Sequence, residues 1–483
     1  MNDASNGEAA KRRGGKLQAV CRLAALLPLL FLTAGCRYTA APADLLQKPK
    51  IAPDKQAIVK AIEETLPAYS KLTLPLREDH MEAVRLIDVD SDGEKEAIVS
   101  YYNEYNTPEL MLFNYTSGTW TPWVLIQQPL ARQIAWLKLE DLDLDGELEL
   151  ILGWVGGFDS PNMLEIYSFG TTPVRNDAGK LALKPSVSMP YSYAETGQLN
   201  LDGKPELAVV TESIANQEVA LPDFYLTTYS WEKGSLKQLN EVKLQDGVNH
   251  YDRLLIGRIS PRHHGLILEA STGAHATYTA MYAWESGRLR LIYPAEGDKR
   301  NGVSGRPVMS GDQNNDGILE LQWTREAPGY GNVPYSDSKW IDEWMQWDGK
   351  ESFDKIREEF SDYRYGIQLR IPESWFGRYT LRNPVRDAYA VVAIDYWNAG
   401  SRYTSELAAL YAVPVQQWEE IQERWKDKSR SYRRLLTDSG NVIAISYAEQ
   451  APDGWPAYER QAFGEMLEAR DELASGLRIR HDF

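Results

Sequence analysis

One acidic motif recurs along the chain at intervals of about 55 residues, and this period constrains the fold more than any other feature. Each copy has Asp, Asn or Gln at its first, third and fifth positions, Gly at its sixth, Glu at its ninth and an apolar run directly afterwards. The copies begin at Asp88, Asp141, Gln198 and Asp312. A degenerate unit begins at Ser260 and keeps the glycine and the apolar run without the acids. A repeat of this length indicates a supersecondary unit that buries its apolar surface against its neighbours.

Within a unit, the sequence is that of an antiparallel meander. In the first unit, apolar and aromatic runs at residues 97–99, 109–115 and 123–126 are separated by turn residues, including a Ser-Gly pair at 117–118. Four short strands repeated at this period are typical of propeller blades. The sequence therefore predicts a mainly β fold, with a β-propeller of about five or more four-stranded blades over residues 67–350.

The repeated loop also carries a family resemblance. A D-x-D-x-D-G-x-x-[DE] loop that feeds an apolar strand resembles the FG-GAP and VCBS-type repeats of integrin-like β-propellers. The match is strongest in the units at Asp88 and Asp141, weaker at Asp202 and Asp312, and poorest at Ser260. Propellers of this family often have seven blades, whereas five units are visible in this chain.

The acidic loops have the side chains of a calcium site. Acids at positions 1, 3 and 5 with Gly at 6 place carboxylates around one point, while position 7 can add a backbone carbonyl and position 9 a further carboxylate. The alternative is a solvated turn in which Asp and Gly serve the backbone geometry. The candidate ligands of structural Ca²⁺ are Asp88, Asp90, Asp92, Glu94, Glu96, Asp141, Asp143, Asp145, Glu147, Glu149, Asn200, Asp202, Glu206, Asp312, Asn314, Asp316 and Glu320.

The first 35 residues have the parts of a signal peptide. Basic residues at 11–16 precede an apolar stretch at 23–32, which is too short to span a bilayer. The segment L-T-A-G-C ending at Cys36 resembles the lipobox of bacterial lipoproteins of the Gram-positive type, which implies cleavage after residue 35 and acylation of Cys36. An uncleaved amphipathic anchor is the alternative. Residues 36–66 are then a lipidated tether with a short helix, on the extracytoplasmic face of the cell membrane.

Charge and motif content argue against two classes of function. The net charge of −17 would repel nucleic acid, so no nucleic-acid partner is expected. The chain has no H-E-x-x-H, G-x-S-x-G, P-loop or G-x-G-x-x-G motif, and lipidation of Cys36 would leave no free thiol in the mature chain. His263 and His264 are adjacent, which is typical of a loop surface or, alternatively, of a transition-metal site. The sequence therefore predicts a protein that is not an enzyme.

The C-terminal region lacks the repeat. Residues 352–360 are expected to form a short charged helix that leads into a small α+β domain at 361–483, with helices near 415–426 and 458–473. This domain loosely resembles the α+β domains that end many Gram-positive lipoproteins.

Together these features predict a non-enzymatic, membrane-anchored surface lipoprotein, which serves as a binding or scaffold element at the cell envelope for an unknown protein or glycan ligand. The alternative is an envelope carbohydrate-binding or carbohydrate-active protein that uses propeller-face aromatics, with candidates at 153–158 and 340–347.

Overall fold

The computed structural model describes residues 53–77, 82–213, 222–331, 333–384, 388–401 and 403–480. The predicted signal peptide and Cys36 lie outside the described residues. The chain divides after Glu64 into two compact units.

Helix α1 spans Pro53–Thr65. Pro53 stands at its first position, where the missing N–H would have no intrahelical acceptor and the fixed φ suits a helix. Among the described residues, no helix has both the length and the apolar character needed to cross a membrane.

The unit from Thr65 to Phe483 is mainly β, as predicted, and strands make up 50% of the structure against 11% for helices. Its strands form six sheets that follow one another along the chain and that we number 1 to 6. The pairings are antiparallel, apart from one short parallel bridge in sheet 1.

Sheets 1 and 2 contain the first two acidic loops. Their strands are β1 (Lys71–Leu72), β2 (Val84–Ile87), β3 (Glu96–Tyr102), β4 (Pro108–Thr116), β5 (Thr119–Gln127), β6 (Ala131–Glu140), β7 (Glu149–Gly156), β8 (Met163–Ser168), β9 (Val174–Arg175), β10 (Leu181–Ala182) and β11 (Val187–Pro190). Sheet 1 has the order β1-β3-β4-β5-β10-β9, and β2 also pairs with β3. Sheet 2 has the order β11-β8-β7-β6.

Sheets 3 and 4 are successive meanders. Their strands are β12 (Tyr193–Gly197), β13 (Glu206–Ser213), β14 (Asp223–Glu232), β15 (Ser235–Lys243), β16 (His250–Ser260), β17 (His263–Thr272), β18 (Ala276–Glu285), β19 (Arg288–Tyr293) and β20 (Val303–Ser304), the last of which pairs with β18. Lys233 and Gly234 join β14 to β15 with φ angles of 52° and 76°. Positive φ at both residues of a two-residue turn suits the twist of the flanking strands, which is why Gly occurs there.

Sheets 5 and 6 complete the unit. Their strands and helices are β21 (Leu321–Glu326), β22 (Trp340–Trp347), β23 (Phe353–Asp362), β24 (Ile367–Ile371), β25 (Tyr379–Arg382), β26 (Ala390–Tyr396), β27 (Ser405–Pro414), α2 (Trp418–Asp427), β28 (Ser431–Asp438), β29 (Asn441–Tyr447), α3 (Ala457–Glu468), α4 (Arg470–Ser475) and β30 (Leu477–Ile479). Sheet 5 has the order β21-β22-β23-β24-β30, and sheet 6 the order β25-β26-β27-β29-β28.

The charged helix predicted at 352–360 is wrong, because these residues form strand β23. Apolar residues at 353, 356 and 360 have the spacing of a helix face. In the strand, the intervening charged residues are buried instead, and Glu358 is 0% exposed. Its carboxylate is paired with Arg325 at 3.2 Å and with Lys355 at 2.5 Å, so ion pairs replace the alternating apolar side chains that normally reveal a strand.

Sheet 5 also crosses the predicted boundary between residues 350 and 361. Its third strand, β23, pairs with β24, and β24 pairs with β30 near the end of the chain. The last strand therefore belongs to the sheet of the fifth repeat rather than to sheet 6.

Successive sheets pack face to face, and each neighbouring pair shares a hydrophobic core. In β7, Leu150 and Leu152 contribute to the core between sheets 1 and 2, whereas Ile151 contributes to the core between sheets 2 and 3. Further cores join sheet 3 to sheet 4, sheet 4 to sheet 5, and sheet 5 to sheet 6. Strands buried on both faces explain why the runs after the acidic loops are continuously apolar.

Candidate metal sites

The four acidic repeats form loops at equivalent places, which we name loop 1 (residues 88–96), loop 2 (141–149), loop 3 (198–206) and loop 4 (312–320). Loops 1 to 3 join the first two strands of sheets 1 to 3, and loop 4 leads into β21 of sheet 5. In loop 1, Ser91 and Gly93 have φ angles of 60° and 91°. The sharp reversal therefore requires two left-handed residues, which accounts for the glycine at position 6.

The glutamate at position 9 anchors each loop from below. Its side chain belongs to a residue no more than 4% exposed in all four copies, and one carboxylate oxygen accepts the backbone N–H of the residue at position 2. These hydrogen bonds are Val89 to Glu96 at 2.9 Å, Leu142 to Glu149 at 3.1 Å, Leu199 to Glu206 at 2.8 Å, and Gln313 to Glu320 at 2.7 Å. The position-9 carboxylate thus closes the loop and stands beneath its other acids.

The aspartate at position 1 curls loops 1, 2 and 4 from within. Its Oδ2 accepts the backbone N–H of the glycine at position 6, at 3.0 Å from Gly93, 2.9 Å from Gly146 and 2.8 Å from Gly317. These bonds draw the carboxylate at position 1 towards the centre of the turn.

As a result, carboxylates converge in three of the loops. In each group, one oxygen from every member lies within 4.8 Å of the others. The groups are Asp88, Asp90 and Glu96; Asp141, Asp143 and Glu149; and Asp312, Asp316 and Glu320. Carboxylate oxygens at this separation suit a hard divalent cation.

Several of the predicted ligands do not join these groups. The Oδ1 atoms of Asp92 and Asp145 accept the N–H of the residue at position 7 at 2.8 and 2.9 Å. Glu94 and Glu147, which stand at position 7, are exposed. In loop 4, Asn314 donates from Nδ2 to Asp316 at 3.0 Å.

Loop 3 lacks a convergent group. Gln198 replaces the acid at position 1, and Asn200 donates from Nδ2 to Oδ2 of Asp202 at 2.9 Å. With Glu206 anchored to Leu199, loop 3 is closed by hydrogen bonds among its own side chains and backbone.

The clustered charge perturbs the acids. Burial, with Asp143 and Asp145 nearby, raises the pKa of Glu149 to about 7. Burial and the neighbouring Asp316 and Asp312 likewise raise the pKa of Glu320 to about 7. Ionised carboxylates in this setting repel one another, and a bound cation would relieve that repulsion.

Two further oxygens within the groups lack a donor. Oδ1 of Asp88 and Oδ1 of Asp143 are buried without a hydrogen-bond partner in the described part of the chain. A buried carboxylate oxygen without a donor is costly, and coordination to a cation is one way to satisfy it.

Neighbouring loops also touch, which sequence reasoning missed. The N–H of Leu148 in loop 2 donates to the carbonyl of Val89 in loop 1 at 3.2 Å. The positive charge of Lys204 in loop 3 lies close enough to Asp143 in loop 2 to lower its pKa, although burial and the adjacent acids raise that pKa overall. The loops therefore lie side by side along one edge of the stacked sheets.

The adjacent histidines of the degenerate unit diverge. Nδ1 of His263 lies 2.8 Å from Oγ of Ser260, and its ring packs on Trp347 with 4.9 Å between centroids. Nδ1 of His264 lies 2.9 Å from the carbonyl of Gln198 in loop 3. Each ring is held in a separate structural contact, so neither carries forward the transition-metal alternative.

A serine, an aspartate and a histidine do meet on sheet 4. Asp252 accepts a hydrogen bond from Ser271 at 2.6 Å, and its other oxygen lies 2.6 Å from Nε2 of His250. The aspartate stands between the other two groups. Since a nucleophilic serine needs its hydroxyl on the imidazole, this order does not activate Ser271.

The aromatic residues of the carbohydrate alternative are mostly in the core. Trp154 and Trp347 are 0% and 1% exposed, whereas Phe158 is fully exposed. Nε1 of Trp154 donates to the buried Glu165 at 2.8 Å, which fixes the ring within sheet 2.

Comparison with known proteins gives fold-level likenesses only. No family model and no curated protein matches the chain. The rhamnogalacturonan lyase PL11 of Bacillus licheniformis is 12% identical, with a TM-score of 0.29 over 78% of this chain and 91% of that chain. The endo-arabinase from Bacteroides thetaiotaomicron VPI-5482 is 10% identical, with a TM-score of 0.25 over 59% of this chain and 96% of that chain. These TM-scores are too low to bear on activity.

Proposed function

We propose that the protein is a non-enzymatic, membrane-anchored surface lipoprotein in which sheets 1 to 5 are the blades of a calcium-stabilised β-propeller. Sheet 6 and its helices form an α+β module on the fifth blade, and the whole serves as a binding or scaffold element at the cell envelope. The observation that carries this proposal is the recurrence of one three-carboxylate group at the same place in loops 1, 2 and 4.

The blade assignment is supported by how the sheets pack. Five successive antiparallel sheets share a core with each neighbour along the chain, and the inner residues of a single strand alternate between two cores. Blades of a propeller pack in this manner around a common axis.

Calcium as the ion is supported by ligand chemistry. The three groups offer only oxygen ligands, and a flexible loop of carboxylates and carbonyls suits Ca²⁺ better than an ion that needs strict octahedral geometry. An ion would offset the repulsion that raises the pKa values of Glu149 and Glu320. We assign these ions a structural role, since they pin the loops that join the strands.

Calcium content of the full-length chain tests this part of the proposal. We expect about three Ca²⁺ per chain and a higher melting temperature with calcium than with a chelator, since ligand at 100 times its Kd stabilises by roughly 2.7 kcal/mol per site. The variant Asp88→Asn, Asp141→Asn, Asp312→Asn should lose the ions and the shift. Asp246→Asn, at an exposed carboxylate outside the loops, is the control. A melting temperature that calcium and chelator leave unchanged would contradict the assignment.

Membrane attachment through Cys36 has its own test. The chain is acidic, with a net charge of −17, so its folded part would gain no attraction from anionic lipid headgroups. Cys36→Ala should therefore release a folded protein into the medium, whereas Cys21→Ala, within the predicted signal peptide, should remain membrane-associated. A Cys36→Ala protein that stays with the membrane fraction would overturn the anchor.

The carbohydrate alternative depends on exposed aromatic side chains, of which Phe158 is the clearest in the two predicted stretches. A glycan array with the full-length chain and with Phe158→Ala separates the two functions. Saturable glycan binding that Phe158→Ala abolishes would favour the alternative.

A further inference from the structure

A cavity of about 750 Å³ lies among the first strands of sheets 1 to 4. Strands β2, β6, β12 and β16 all contribute to its lining, and no carboxylate of the three metal groups does. Small-molecule sites commonly have volumes of roughly 300 to 1,000 Å³, so the cavity is large enough for a ligand.

The lining includes one position of the repeat. Arg85, Lys138 and Glu195 each stand three residues before loops 1, 2 and 3, and all three line the cavity. A charged residue at this fixed place interrupts an otherwise apolar strand in sheets 1 and 2. This periodic charge is the sequence signal that could have located the cavity.

The charge of the lining is opposite in sign to that of the chain. The lining has four cationic side chains, Arg77, Arg85, Lys138 and Arg253, against two carboxylates, Glu82 and Glu195. The chain as a whole carries a net charge of −17. A concave surface lined by charge of one sign focuses the field, so this cavity favours anions although the protein is acidic.

Arg77 is held rigidly at the cavity. Its guanidinium carbon lies 4.2 Å from the ring centroid of Tyr193 and 4.7 Å from that of Trp136. Its Nη2 donates to the carbonyl of Ala194 at 2.8 Å. Because the side chain is already ordered, little conformational entropy remains to be lost when a ligand binds.

Arg253 is held from a second direction. Its Nη1 donates to the carbonyl of Ser310 at 2.6 Å and lies 3.4 Å from the buried carboxylate of Glu269. Burial raises the pKa of the Tyr193 hydroxyl, and both Arg77 and Arg253 act against that rise, which places the two cations near the same phenol.

Lys138 is less suited to a ligand, because acids of the protein already surround it. Its Nζ lies 3.1 Å from Glu140 and 3.5 Å from Glu195. The contacts of Arg77 and Arg253 described above engage one nitrogen of each guanidinium. A planar guanidinium has five N–H donors, enough to bind an oxyanion in addition.

We infer that this cavity binds a small ligand through an oxyanion, a carboxylate or a phosphate, held by Arg77 and Arg253. The inference goes beyond the proposed scaffold role and does not depend on calcium, so each can fail without the other.

Titration calorimetry of the full-length chain with four probes tests the inference. Succinate and D-glucuronate present carboxylates, inorganic phosphate presents the alternative oxyanion, and glucose is the neutral control. The carboxylates are titrated at saturating calcium, and phosphate is titrated without calcium because the two precipitate. We expect at least one oxyanion to bind saturably and glucose not to bind. The stronger class of probe identifies the source of the oxyanion.

Variants assign the binding to the two arginines. Arg77→Gln and Arg253→Gln should each weaken binding about tenfold or more, since each removes a charge-assisted hydrogen bond. Arg253→Lys should recover part of the affinity. Arg288→Gln, at an exposed position on sheet 4, should leave it unchanged.

A measurement on the unmodified chain covers the case in which these variants misfold. Side chains of Arg77 and Arg253 are 34% and 30% exposed, so phenylglyoxal can reach them. Bound ligand should protect both from modification, as read by peptide mass spectrometry, and should not protect Arg288. Absence of saturable binding by every oxyanion, or protection of neither arginine, would overturn the inference.

Discussion

The hydroxyl of Ser91 in loop 1 donates a hydrogen bond to the backbone carbonyl of Gly146 in loop 2. A backbone bond from Leu148 to Val89 runs beside it in the opposite direction. Two metal sites on successive sheets are thus joined through the turns that carry their ligands. An ion that orders one turn lowers the cost of ordering the other, which is the physical basis of positive coupling between sites.

We therefore expect Ca²⁺ to bind loops 1 and 2 cooperatively. In an Asp312→Asn background that leaves these two sites, a calcium titration should be steeper than for independent sites. Ser91→Ala removes the connecting hydrogen bond and should reduce the coupling by roughly 0.5 to 1.5 kcal/mol. Ser235→Ala is the control, because it removes a hydroxyl-to-carbonyl bond within one hairpin of sheet 3. Equal steepness in all three proteins would show that the contact transmits nothing.

The position-9 glutamate gives a prediction with two opposite signs. Glu149→Gln keeps an oxygen that can accept the N–H of Leu142 but removes a charge whose pKa burial raises to about 7. At pH 8 without calcium, the variant should be more stable than the parent by roughly 1 to 3 kcal/mol. With calcium it should bind one ion fewer. Urea denaturation with chelator and with calcium measures both effects, and a loss of stability under both conditions would contradict a ligand role.

The same carboxylates predict a pH dependence of the calcium-free protein. The folded-state pKa of Glu149 and of Glu320 is about 7, above the ordinary value of 4.5. Between these values the folded state binds more protons than the unfolded state, so the free energy of unfolding should fall as pH rises from about 4.5 to above 7. The double variant Glu149→Gln, Glu320→Gln should flatten this slope in chelator. A parent protein whose stability rises over this range would show that other groups dominate.

The loops were predictable because their determinants are local. Nine consecutive residues specify the turn, its glycine and its anchoring glutamate, so spacing alone located the groups at Asp88, Asp141 and Asp312. The cavity was not predictable in this manner, since Arg77 and Arg253 are separated by more than 170 residues of chain. Strand β23 was missed for a different reason. Buried ion pairs occupy positions where a hydrophobic pattern expects apolar side chains, and only the tertiary partners Arg325 and Lys355 reveal this.

Loop 3 should become a metal site when its missing acids are restored. Asn200 currently donates to Asp202, and Gln198 offers no charge. The double variant Gln198→Asp, Asn200→Asp recreates the acids of loop 2 above the anchored Glu206. Native mass spectrometry should then show one more Ca²⁺ per chain than in the parent. Gln198→Asn with the native Asn200 is the control and should add none. An unchanged count in the double variant would mean that loop geometry, rather than charge, excludes the ion.

Sheets 5 and 6 should unfold together, because they share one core. Trp375, which is 0% exposed, lies in the core that contains Ile341 of sheet 5 and Ile394 of sheet 6, and its Nε1 donates to the carbonyl of Met466 in α3 at 2.9 Å. Trp375→Ala removes a large buried side chain and should destabilise by roughly 3 to 5 kcal/mol.

If the C-terminal region were an independent domain, calorimetry of this variant would show a separate, lowered transition while hydrogen exchange in β22 stayed slow. Because the core is continuous and β30 completes sheet 5, we expect faster exchange in β22 and β26 together. Trp120→Ala, at a partly exposed tryptophan of sheet 1, is the control and should leave both strands protected. Exchange that rises in β26 alone would show that the two sheets unfold separately despite their common core.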